Sequence, residues 1–115
     1  MTVFIVQEPR NPNLFPLKDF SSAEKFGKVE FIFSSNEFPS RNIDFARTRI
    51  ERVLTNFNES DDYILWAGGD QVALVLISQL LPNFKFLLWC RQKDSYGKVV
   101  GGYYEPVEIR SPYEL

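Results

Sequence analysis

The chain has 115 residues, 44% hydrophobic and 24% charged, which excludes a disordered polypeptide and bounds it to one domain, residues 1–115. Thirteen basic and fifteen acidic side chains leave a net charge of -2, which excludes a global electrostatic pull toward nucleic acid or an anionic membrane. A single cysteine, Cys90, excludes an internal disulfide, and the lack of histidine removes the commonest general base and the usual triads.

The chain opens with a β-rich run, Thr2-Val3-Phe4-Ile5-Val6-Gln7, read as a strand. It has neither the basic start nor the apolar length of a signal peptide, and no run approaches the ~20 apolar residues of a membrane span. A soluble, cytoplasmic protein is therefore expected. Residues 8–17 carry Pro9, Pro12 and Pro16 with Asn11 and Asn13, which is loop chemistry. Phe15, Leu17, Phe20 and Phe26 are expected to fold back onto the core, with a short helical turn at 21–26.

Residues 28–33 predict a second strand, and 34–40 a loop. Residues 42–57 predict an amphipathic helix, because Ile43, Ala46, Ile50, Val53, Leu54 and Phe57 recur at spacings of three and four. A short apolar run, Tyr63-Ile64-Leu65-Trp66, then predicts a strand buried on both faces. Gly68 and Gly69 end it, and Asp70 is placed to cap a helix over 71–81. That helix is apolar nearly all round: Ala73, Leu76, Ile77 and Leu80 share a face, while Val72, Leu74 and Val75 point elsewhere. It should be buried on more than one side or meet a partner. A strand over 84–90 follows. A turn near Asp94, Ser95 and Gly97 leads to a last strand over 99–109, interrupted at Pro106, at an edge or broken there.

Strand–helix–strand units with short connections favour parallel pairing and right-handed crossovers. The last two strands read as an antiparallel hairpin. The sum is a small α/β domain: a mixed, mostly parallel sheet of about five strands with two main helices.

Three groups of residues bear on function. Gly68-Gly69-Asp70 lies where α/β proteins bind ligands, and a helix amino terminus attracts anions. The dinucleotide and phosphate-loop patterns are both absent, however. An Asp70 carboxylate capping the helix would also occupy the anion position, which favours a structural turn. Arg41, Phe45, Arg49 and Arg52 fall near one another on the outer face of the first helix. Arginines around an aromatic suit an acidic protein surface, or single-stranded nucleic acid through stacking, against the plain reading of a solvated face with Asp44 and Glu51 as ion-pair partners. Val72 and Val75 are expected either to contact the rest of the chain or to form a dimer interface. Cys90, among Phe86, Leu88 and Trp89, reads as inert packing. Zinc lacks ligands, and the acids Glu59, Asp61 and Asp62 do not match a calcium loop, so no metal and no cofactor are expected.

Tyr63-Ile64-Leu65-Trp66-Ala67-Gly68-Gly69-Asp70, the apolar helix, Trp89-Cys90-Arg91-Gln92 and Tyr103-Tyr104-Glu105-Pro106-Val107-Glu108 together resemble a family of small uncharacterised tailed-bacteriophage proteins. Those carry a Gly-Asp turn, a Trp-x-Arg-Gln segment and a Tyr-x-Pro-Val-Glu ending. The opening 2–7 and the Asn13-Leu14 region are similar too. The chain departs from that pattern in its longer 94–102 segment and in Gly69. The resemblance implies the cytoplasm of an infected bacterium as the setting and brings no activity with it. The leading expectation is a non-enzymatic accessory protein that binds a host or phage protein, itself a possible homodimer. The alternatives are a nucleotide- or phosphate-handling enzyme using Gly68, Gly69 and Asp70, and single-stranded nucleic-acid binding.

Overall fold

The computed structural model describes residues 1–9, 20–66 and 70–112. The expected α/β architecture is present. β1 (Thr2–Gln7), β2 (Lys28–Phe33), β3 (Tyr63–Leu65), β4 (Phe84–Lys93) and β5 (Val99–Ile109) form one sheet in the order β2-β1-β3-β4-β5. Every pairing is parallel except β4 with β5. Phe4 lies opposite Glu30 on one side and Ile64 on the other, and Ile64 lies opposite Phe86. The strand–helix–strand stretch from Tyr63 to Cys90 is thus a parallel crossover.

Side chains alternate across a strand, so β1 feeds two cores. Phe4 and Val6, with Ile64, pack under α1 (Ile43–Val53) and α2 (Gln71–Leu80). Val3, Ile5, Leu65 and Leu87 pack on the other face against Ala23, which belongs to the 3-10 turn Ser21–Phe26. Both helical crossovers lie on one face, and the 3-10 turn Ser21–Phe26 between β1 and β2 lies on the opposite one. Right-handed crossovers demand this arrangement when β2 and β3 flank β1 on opposite sides. Phe20 and Phe26 do fold onto the second core, Phe26 meeting the Tyr63 ring edge-on at 5.4 Å. Phe15 and Leu17 lie outside the described residues.

Local chemistry sets the element ends. Asn42 is the cap of α1, its side chain accepting from the Phe45 N–H at 3.1 Å. The regular helix stops at Val53, not Phe57. Leu54 and Phe57 still pack on the core, but from turns rather than from the helix. The loop at 34–40 runs into a 3-10 turn, Pro39–Arg41, where proline's fixed φ suits the first position. Among the acids at 59–62, Asp62 is not solvated. It is buried and accepts from the N–H groups of Thr2 and Asn58 at 2.9 and 2.8 Å, tying the start of β1 to the entry of β3.

The last strand is continuous through Pro106, which pairs opposite Leu87. β5 has a strand neighbour on one side only, so a proline whose nitrogen points outward loses no ladder bond. β4 is also longer than its sequence suggests, reaching Lys93. β3 has only three residues and pairs no further than Leu87, so the outer halves of β4 and β5 project beyond the sheet as a two-stranded arm. Trp89 lies over Gly102, where a Cβ would collide with the indole, and meets the Tyr104 ring at 4.8 Å. Cys90 sits on this arm. It is half-buried rather than a core residue.

Candidate functional site

In this strand order the chain leaves β1 toward β2 and leaves β3 toward β4. The carboxyl ends of β1 and β3 therefore flank the topological switch point, where open α/β sheets form their ligand crevice. Gln7 ends β1 there and is only 6% exposed. Its amide nitrogen donates to the backbone oxygens of Ser34 and Glu37 at 3.2 and 2.7 Å. Its amide oxygen accepts from the Asp70 N–H at 3.1 Å. One side chain thus joins the β2 exit loop to the start of α2.

Asp70 caps α2. One carboxylate oxygen accepts from the N–H groups of Val72 and Ala73 at 2.8 and 3.3 Å, and the other from the Ser40 N–H at 3.0 Å. Burial pushes the Asp70 carboxyl up. Hydrogen bonds from Ser40 and from the Ala73 and Val72 amides outweigh this and hold it below its ordinary value. The carboxylate occupies the amides that a phosphate would need, and both its oxygens are engaged. Gly68 and Gly69 lie outside the described residues. With inorganic phosphate, or with nucleotides and magnesium, thermal unfolding is expected at an unchanged temperature. A ligand at a hundred times its dissociation constant would add about 2.7 kcal/mol, so a clear rise would assign ligand chemistry to this turn.

The arginine group divides in two. Arg49 is largely covered, its side chain 22% exposed. It forms a two-pronged ion pair with Glu37, at 3.0 and 2.9 Å, and donates to the Ile32 carbonyl at 3.0 Å. Its guanidinium also lies 5.0 Å from the Phe45 ring centre and 5.7 Å from that of Phe33. The Arg49 hydrogen bonds are the main reason the Glu37 carboxyl sits below its ordinary value, with help from the Ser34 N–H. Arg41 and Arg52 are different. Both are exposed, and among the described residues neither has an ion-pair partner. Arg41 stacks over Phe38 at 4.4 Å. Phe45, Thr48, Arg49 and Arg52 line a shallow groove of about 110 Å³. Of the two expected ion-pair acids, Asp44 pairs with Arg47 at 3.7 Å.

Val72 packs against the core under α2, whereas Val75 points outward. The Cys90 thiol donates to Glu105 at 3.4 Å. Partial burial and then the Glu105 carboxylate push the thiol up, away from nucleophilic character. Gln7 and Glu37 were not singled out from the sequence. The available signal was a lone polar residue closing an apolar run at Gln7, and an acid before a Phe-Pro turn at Glu37.

Among the described residues, no helix is long and apolar enough to cross a membrane. No curated protein and no solved structure matches the chain. The model of the phage Pam3 gp32-like proteins matches residues 1–101, which takes in four of the five strands and both helices, and the chain belongs to that family.

Proposed function

We propose that this phage protein works by binding a host or viral protein in the cytoplasm of the infected cell, without catalysing a reaction on it. The observation that carries this reading is the outer surface of α1 and the turn before it. Phe38 and Phe45 each expose about two fifths of their surface beside a guanidinium, and Arg41 and Arg52 stand around them with no ion-pair partner among the described residues. Aromatic and arginine side chains are the residues most enriched where protein surfaces meet. The fit is to an acidic surface with an apolar centre. Arg49 serves this surface by holding Phe45 from below, because its own charge is spent on Glu37.

The test separates these roles. Lysate of the host bacterium is passed over the immobilised full chain and over an Arg41→Glu, Arg52→Glu variant. The wild type should retain a stoichiometric protein, and the variant should retain at least about tenfold less, the equivalent of 1.4 kcal/mol. Urea denaturation of the variant should fall within about 1 kcal/mol of the wild type, since both side chains are exposed and the stacking of Arg41 on Phe38 is worth only about that much at an exposed site. Equal retention by both proteins, or no stoichiometric protein on either, would overturn the reading.

A further inference from the structure

The β4-to-β5 connection is a hairpin turn, so it supplies no helix. α1 and α2 cover the sheet only as far as β3 and the start of β4. Beyond α2, no element among the described residues covers the same face of β4 and β5. Alternation from the buried Phe84 places Phe86 and Leu88 on that face. Register adds Val107 opposite Phe86 and Tyr103 opposite Cys90. Leu88, Tyr103 and Val107 are 48, 49 and 37% exposed, and Val75, on the crest of the adjoining α2, is 54% exposed.

We propose that a second copy of this chain covers this face, forming a two-fold symmetric dimer in which α2 of each copy lies on the β4–β5 shelf of the other. Three features select a second copy. The first is shape. A ridge carrying Val75 stands beside an apolar shelf, and a two-fold axis drops each ridge onto the opposite shelf, filling the helix position that the hairpin leaves vacant. The second is charge. Glu105, exposed opposite Leu88, is the one charged side chain among the paired shelf residues 86–90 and 103–107, and a single carboxylate is a sparse ionic code for a foreign partner. Homodimer interfaces are the more apolar class. The third is area. Together with the flanks of Phe86 and Leu74, these four side chains expose on the order of 400 Å² of apolar surface, within the range of the largest patch a monomer carries. A standard interface takes ~800 Å² from each partner, somewhat over half of it apolar, so the patch nearly supplies that share. Pairing along the β5 edge is disfavoured by Pro106 and by the irregularity between Gln92 and Lys93, which leaves the face rather than the edge. The α1 surface takes no part, so this dimer and the binding reading stand or fall separately.

Sedimentation equilibrium of the full chain tests the proposal. The wild type should sediment as a dimer at micromolar concentration. Val75→Arg and Leu88→Glu lie on different elements, and each residue is about half exposed, so each variant should keep the wild-type circular dichroism. A two-fold interface contains each position twice, so a tenfold penalty per copy multiplies to about a hundredfold in the dimer dissociation constant. Tyr96→Arg, at the exposed tip of the arm, should leave the dimer unchanged. A monomer at ~100 μM, or a dimer that neither Val75→Arg nor Leu88→Glu weakens, would overturn it.

Discussion

Replacing Gln7 with leucine should cost about 3 kcal/mol of folding stability, although the two side chains are similar in size and leucine is the more hydrophobic. The amide meets three backbone groups: the Ser34 and Glu37 carbonyls and the Asp70 N–H. Leucine removes all three bonds, and an unpaired buried polar group costs ~1–3 kcal/mol. The exposed Ser34 carbonyl still accepts from the Glu37 N–H at 3.2 Å, so the total stays near the lower sum. Two elements would loosen together, because Gln7 is the link between the β2 exit loop and the first turn of α2. Urea denaturation gives the magnitude. Hydrogen exchange at Val72 and Ala73, the amides that Asp70 caps, shows whether the helix start is released with the loop. Wild-type stability in the leucine variant would mean that water replaces the amide.

The elements that follow local rules were legible. A run of Tyr63, Ile64 and Leu65 ended by glycines, followed by Asp70 and an apolar helix, is specified within a few residues, and the parallel crossover follows from it. The cap on α2 follows in the same way. What was not legible depends on residues distant in sequence. Gln7 and Asp70 are 63 positions apart, and only the strand order brings them together. The free arm at the end of β4 was hidden for a related reason. The composition of β4 shows that it is a strand, but where it leaves the sheet is set by β3 having only three residues. Arg49 misleads on a helical wheel. The wheel gives its angle on α1 and says nothing of the Glu37 loop that folds over that angle.

Truncating Arg49 to alanine should therefore destabilise the protein by about 2–3 kcal/mol, far more than the few tenths expected of an exposed helical arginine. The loss has three parts: the ion pair with Glu37, the hydrogen bond to the Ile32 carbonyl, and the guanidinium over the Phe33 and Phe45 rings. Arg49→Lys should recover little of it, because an ammonium cannot present two parallel donors to the carboxylate while also reaching Ile32. Acid acts on the same contact. Arg49 holds the Glu37 carboxyl below its ordinary value of 4.5, so the folded state favours the ionised form more than the unfolded state does. The contribution is therefore complete above about pH 4.5 and is lost as pH falls through the depressed folded value. Glu37→Gln removes the titrating group, so the variant should lose less stability than the wild type between pH 7 and strongly acid solution. Asp70, also depressed, remains in both proteins and cancels in the comparison. Urea midpoints of wild type, Arg49→Ala, Glu37→Gln and the double variant close a cycle at each pH. A coupling energy near zero at pH 7, or acid curves of identical shape for wild type and Glu37→Gln, would return Arg49 to the solvent-facing role that helical periodicity assigns it.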